Sequence, residues 1–214
     1  MSPAPPEIAV VDYGAGNLRS VSKALERSGL RARVTDDPDT LAQSAGVVLP
    51  GVGAFADAAE HLRARGLWEA VQAVLTSGRP YLGLCLGLQL LFDECDEHGV
   101  NAGFGRLAGR VERFPEKTDD GQALRIPHIG WNEVHFEGDH PMLAGLPRTD
   151  HYYFVHSYRA VPSDSRVVVG TTSYGDEFAA AVADEGVFAV QFHPEKSQWA
   201  GKRLLDAYAA WVRG

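Results

Sequence analysis

Cysteine is almost missing from this chain of 214 residues: there are two, Cys85 and Cys95. Two thiols are too few for a disulfide framework and point to a reducing compartment. No apolar run approaches the ~20 residues that a membrane-crossing helix needs. The longest, Tyr81 to Phe92, carries Gln89 and two glycines and stops at Asp93. The opening MSPAPPEIAV has neither the basic start nor the apolar stretch of a secretion signal. Positive charge is short as well: 20 Lys and Arg against 28 Asp and Glu leave a net charge of -8. That is the wrong sign for broad binding to nucleic acid. No His, Cys, Asp or Glu group has metal-ligand spacing, and neither an internal repeat nor a low-complexity segment is present. The expectation is a cytoplasmic protein of one domain, 1–214, with residues 1–6 as a flexible extension. No metal, cofactor, nucleic-acid or membrane partner is expected.

What is present is ample for a core, with 45% hydrophobic residues. EIAVVD (7–12) reads as a buried strand followed by a tight loop, and Asn17 as the cap of a helix with Leu18, Val21 and Leu25 on one face. RARVTDD and AGVVLPGVG read as further strands, DAAEHLRARGLWEAVQAVLTSG as a helix broken at Gly66, and RPYLGL as the next strand. Strands alternating with helices predict an α/β fold: an open, mainly parallel central sheet with helices on both faces. Beyond about residue 100, β-branched and aromatic runs follow one another between turn signals, from RLAGRVERFP to VFAVQFHPE. These predict antiparallel strands added to the sheet in the C-terminal half. The segment 116–125 reads as a mobile loop, and SQWAGKRLLDAYAAWVRG as a closing amphipathic helix.

One of the two thiols stands in GLCLGLQLLF, where an apolar strand turns into a predicted helix. Glycines on both sides of Cys85 free such a turn of side-chain clashes and allow a strained, exposed elbow at the carboxyl end of the sheet. A helix N-terminus behind it favours the thiolate, and the N–H of Leu86 would face an oxyanion formed on attack. A small hydrophobe buried at a strand end fits the motif too; alone, it leaves both readings open. Cys95 has no such frame and reads as structural.

A cysteine nucleophile needs a base and a group to orient the base. Among eight histidines, His61, His98 and His140 read as helix-face or turn residues. His128 and His156 read as satisfied core or cleft groups. His193 follows the strand VFAVQF and precedes Pro194 and Glu195. In extended backbone, residues 193 and 195 point the same way, so Glu195 can hold one ring nitrogen while the other faces Cys85. The turn PGVGAF (50–55) can present a backbone N–H to an oxyanion, although an ordinary strand-ending turn has the same composition.

PGVGAF, GLCLGLQ and QFHPEKS, in that order and spacing, resemble the class I, triad-type glutamine amidotransferases over nearly the whole chain. DYGAGN, CLGLQLLF, PHIGWN, YYFVHSY and HPEKS resemble, within that family, the glutaminase subunits of imidazole glycerol phosphate synthases. A glutaminase subunit of another synthase, such as pyridoxal 5'-phosphate synthase, is the alternative. The resemblance implies a Cys85, His193, Glu195 triad that hydrolyses glutamine and an oxyanion site at Leu86 and the Val52–Gly53 turn, misaligned until the partner is loaded. It implies glutamine contacts at Gly51, Gln89, Glu97, Ser157 and Tyr158. It also implies a heterodimer with a (β/α)₈-barrel cyclase, with Trp131, Tyr153 and Lys196 near the interface; surface packing is the alternative for these three.

Overall fold

A computed structural model describes residues 5–118 and 120–214. Residues 1–4, part of the expected extension, and residue 119, in the expected loop, lie outside the described residues. The chain begins as the alternation predicts: β1 (Glu7–Val11), α1 (Leu18–Arg27), β2 (Arg31–Thr35), a short α2 (Pro38–Gln43) and β3 (Val47–Gly51). α3 (Phe55–Ala64) and α4 (Leu67–Thr76) follow, then β4 (Tyr81–Cys85). The break between α3 and α4 falls at Gly66, whose φ of +66° suits glycine. Asn17 stands at the start of α1, but its side chain makes no capping hydrogen bond.

The expected helix after Cys85 is a single turn, α5 (Leu86–Gln89), and the chain then re-enters a strand, β5 (Phe92–Cys95). Leu90 to Phe92 are fully buried on a face shared with Phe104 and Leu107, so tertiary packing overrides the helical propensity of LQLLFDE. β6 (Asn101–Ala102), β7 (Leu107–Arg113), β8 (His128–Phe136), β9 (Thr149–His156) and β10 (Tyr158–Pro162) come next. β11 (Val168–Tyr174), β12 (Asp176–Asp184), β13 (Val187–Val190) and the closing α6 (Gln198–Arg213) complete the chain.

Nine strands form the main sheet in the order β2-β1-β3-β4-β13-β12-β11-β8-β9. The strands from β2 to β13 are joined in parallel, and the rest antiparallel. Two expectations change here. VFAVQF, read among the antiparallel additions, is β13, a central strand parallel to β4. The later strands are also not all added to one sheet, because β10-β7-β5-β6 form a second one.

Strand alternation decides the layers. Ala9 and Val11 point into a core with α3, α4 and the small sheet, whereas Ile8 and Val10 point into a second core with α1 and α6. A Val or Leu fully buried in either contributes about 1.5–3 kcal/mol. Burial on both faces explains why β3, β4 and β13 read as unbroken apolar runs. Among the described residues, no helix is long and apolar enough to cross a membrane, and no cluster of three His, Cys, Asp or Glu residues is placed to hold a metal ion.

Candidate active site

β4 ends on Cys85, which takes φ 53° and ψ −102°, a conformation that side chains rarely adopt. The flanking glycines are required by close approach. A Cβ at Gly87 would lie 2.0 Å from the Leu49 carbonyl oxygen, and one at Gly83 would lie 2.5 Å from that of Gly87. The backbone therefore folds tightly onto β3 and holds a nearly buried thiol at the carboxyl end of the sheet. Since α5 is one turn long, little macrodipole stands behind the sulfur.

His193 is delivered by the neighbouring parallel strand. It is extended, with φ −106° and ψ 95°, but Pro194–Lys196 form a 3₁₀ turn rather than continuing the strand. The expected same-side geometry of residues 193 and 195 is therefore absent, and the turn makes the contact instead: His193 Nδ1 donates to Glu195 Oε1 at 2.9 Å. The backbone around the ring is pinned. The His193 N–H donates to the Tyr153 carbonyl at 2.9 Å, and Ser197 Oγ donates to the His193 carbonyl at 2.7 Å.

Both side chains of the pair are 3% exposed. Burial works against a charged ring, yet the nearby Cys85 sulfur and the Glu195 carboxylate outweigh it and lift the imidazole to about 9. Nε2 faces the sulfur without an aligned hydrogen bond and, like Glu195 Oε2, is a buried polar atom with no partner. Native proteins rarely leave such atoms open except where function needs them.

A cleft of about 410 Å³ opens over this pair. Val52, Gly53, Leu86, Gln89 and Glu97 line it, as do Ser157, Tyr158 and Lys196. Gly51 is buried behind Val52 at the end of β3. Trp131 and Tyr153 pair across β8 and β9 and meet edge-on at 6.2 Å, with Lys196 Nζ 5.9 Å from the Tyr153 ring. The three expected interface residues thus form one group at the rim, where Trp131 is 48% and Ile129 58% exposed.

Glu97 has an unexpected contact. Its Oε2 accepts the N–H of Phe55 at 2.6 Å, at the start of α3, where Ala54 has no capping group. A carboxylate there suits the helix N-terminus and ties the 51–54 turn to the cleft wall. Gln89 is less free than its expected role suggests, because its Nε2 donates to the Tyr158 carbonyl at 3.1 Å and to Gln191 Oε1 at 3.1 Å. Only its Oε1 remains open.

Sequence reasoning missed Gln191, and its one signal was a polar residue inside the apolar run VFAVQF. His128 and His156 are satisfied core and cleft groups, as expected. A carbonyl only accepts, so His156 Nδ1 donates to the Tyr158 carbonyl at 2.8 Å. His156 Nε2 then accepts from His128 Nδ1 at 3.0 Å, and His128 Nε2 accepts from the Asn132 amide at 3.3 Å. Burial pushes His128 down to about 4; burial, with His128 and His193 nearby, pushes His156 down to about 3. Both rings are neutral, with fixed tautomers.

The family model for class I glutamine amidotransferases matches residues 9–207. The chain is 50% identical, over 94% of its length and 98% of the other, to the imidazole glycerol phosphate synthase subunit HisH of Syntrophotalea carbinolica. It is 47% identical to the HisH of Geobacillus thermodenitrificans, with 97% of each chain covered. Among solved structures, a glutamine amidotransferase superimposes with a TM-score of 0.73 at 21% identity, over 96% of this chain and 99% of that one. PurLQS from Thermotoga maritima matches with a TM-score of 0.73 at 20% identity, over 97% and 99%. At such identities the last two speak for the fold alone.

Proposed function

The chain belongs to the class I glutamine amidotransferase family, and from that premise we propose how its cleft serves the glutaminase subunit of an imidazole glycerol phosphate synthase. Its reaction is the hydrolysis of glutamine to glutamate and ammonia, and it works as one subunit of a synthase in histidine biosynthesis. Cys85 transfers its proton to His193 Nε2 and attacks the side-chain amide carbon of glutamine. The imidazolium, held by Glu195, returns the proton to the leaving ammonia. Water, deprotonated by the same ring, then cleaves the glutamyl thioester. The N–H of Leu86 and one from the Val52–Gly53 turn hold the oxyanion. Gln89 Oε1, Glu97 and the backbone at Ser157–Tyr158 hold the substrate, with Gly51 shaping the wall behind it.

Ammonia in open water is protonated and lost, so it passes directly to a second active site. The partner is a (β/α)₈-barrel cyclase that docks over Trp131, Tyr153 and Lys196, in the cytoplasm. The observation that carries this reading is the meeting of Cys85, His193 and Glu195, from two adjacent strand ends, with one buried ring nitrogen open toward the sulfur.

The test mixes the chain with such a barrel and measures glutamate release with and without the barrel's nucleotide ligand. Release rises strongly in the loaded complex; equal rates with and without partner count against the coupled reading. Cys85→Ala lowers release by about 10⁴-fold or more but leaves the complex able to use added ammonium. An undiminished rate in that variant removes Cys85 as nucleophile.

A further inference from the structure

The hydrogen bonds that start at Asn132 do not stop at Gln89. Gln191 lies on the strand end that carries His193 and is 0% exposed. Its Nε2 stands 3.5 Å from Cys85 Sγ, within hydrogen-bond reach for sulfur. We propose that Gln191 is a catalytic residue, whose side-chain N–H holds the Cys85 sulfur and stabilises it as the thiolate that attacks glutamine. This rests on Cys85 being the nucleophile.

The direction of the amide is set by its neighbours. The Tyr158 carbonyl can only accept, so Gln89 must aim its NH₂ group there. The second hydrogen of that group points at Gln191, which must answer with its oxygen. The NH₂ group of Gln191 is thereby turned toward the sulfur. His156 donates to the same Tyr158 carbonyl and keeps it in place. Two amides thus take their orientation from one backbone carbonyl and deliver a donor to the reacting atom.

A buried amide on an otherwise apolar strand is costly unless it is bonded. A donor to a charged acceptor is worth about twice one to a neutral group, so this contact strengthens when the Cys85 proton moves to His193. It also supplies what the single turn α5 does not. No co-reactant is involved: the proton passes from sulfur to Nε2, one sulfur lone pair accepts the Gln191 N–H, and another forms the bond to the amide carbon as the C=O π pair moves onto its oxygen.

The test follows alkylation of the full chain by iodoacetamide, in which the sulfur displaces iodide, from about pH 5 to about pH 10. Gln191→Met nearly preserves shape and removes the donor. The expected result is a rate profile whose midpoint moves up by about one pH unit, with a roughly tenfold slower reaction near neutrality. At the alkaline end the rate recovers to that of the parent chain. Gln191→Glu, polar but without a donor when ionised, moves the midpoint the same way and serves if the methionine variant does not fold.

An unchanged midpoint in a folded variant overturns the proposal, because a merely structural glutamine would alter stability and not the titration. Alkylation of the parent at Cys85 without loss of glutaminase activity overturns the nucleophile instead, so the two failures are separable.

Discussion

Two buried histidine sites flank one cleft and behave in opposite ways. On the β13 side, His193 is lifted to about 9; on the β8–β9 side, His128 and His156 are pushed down to about 4 and 3. Burial lowers all three, so burial does not separate them. Partners do: His193 has a carboxylate at one nitrogen and a thiol at the other, whereas the pair has only neutral groups. The pair has no open nitrogen and His193 has one. One site is built to exchange a proton and the other to refuse one.

The sharpest way to break this contrast is to make His193 resemble the pair. Glu195→Gln keeps an acceptor for Nδ1 and removes the charge. Glutamate release falls by about 10²-fold or more, in line with the loss of a well-oriented base. The imidazolium is less favoured, so the midpoint of the His193 ring, followed by its NMR shift, moves down from about 9 toward the ordinary value. A midpoint that stays put assigns the lift to Cys85 alone.

The next test uses stability, where the two sites have opposite signs. His128 and His156 bind protons less readily folded than unfolded. Their contribution is complete above the unfolded value near 6.5 and is lost as the pH falls toward about 4 and 3. His193 is raised, so its contribution is present below about 6.5 and lost as the pH rises through about 9. Denaturant midpoints should show an acid loss of about 2 kcal/mol or more between about pH 7 and about pH 4.5 that shrinks in His156→Gln. An acid limb identical in that variant moves its origin to the carboxylates.

How far the sequence foretold this contrast depends on the range of each contact. The elbow was legible because Gly83, Cys85 and Gly87 act within a few residues of one another. The His193–Glu195 contact was legible from two-residue spacing, though through the wrong geometry, since Pro194 starts a turn. The alternation of β1 to β4 gave the parallel half of the sheet. By contrast, LQLLFDE was misread because its burial comes from residues beyond it in the chain, and β13 because a short apolar run does not state its direction. Gln191 reaches Cys85 across 106 residues, and Glu97 reaches Phe55 across 42. Nothing local marks either contact, so Gln191 escaped notice and Glu97 was named for the substrate alone, without its hold on Phe55.

The smallest effect comes from turning the neutral pair into something closer to His193. Asn132 is partly exposed and donates to His128 Nε2, while its amide also donates to the Ser173 carbonyl at 2.8 Å. In Asn132→Asp, a carboxylate faces that nitrogen and can only accept. His128 Nδ1 is already committed to donating to His156, so only the imidazolium, with hydrogen on both nitrogens, can donate to the new carboxylate, and the charged form is favoured. Its folded-state value therefore rises from about 4. With partial exposure screening the new charge, a rise of about one unit is expected, equivalent to about 1.4 kcal/mol of recovered acid stability. Neutral-pH stability falls a little, because the still neutral ring and the carboxylate are both acceptors there and the hydrogen bond from residue 132 is lost. Melting measured near pH 4.5 and near pH 7 reads both changes, and ring titration by NMR reads the cause. A ring that stays at its low value beside the new carboxylate means that burial alone, not the neutrality of the partners, separates the two sites.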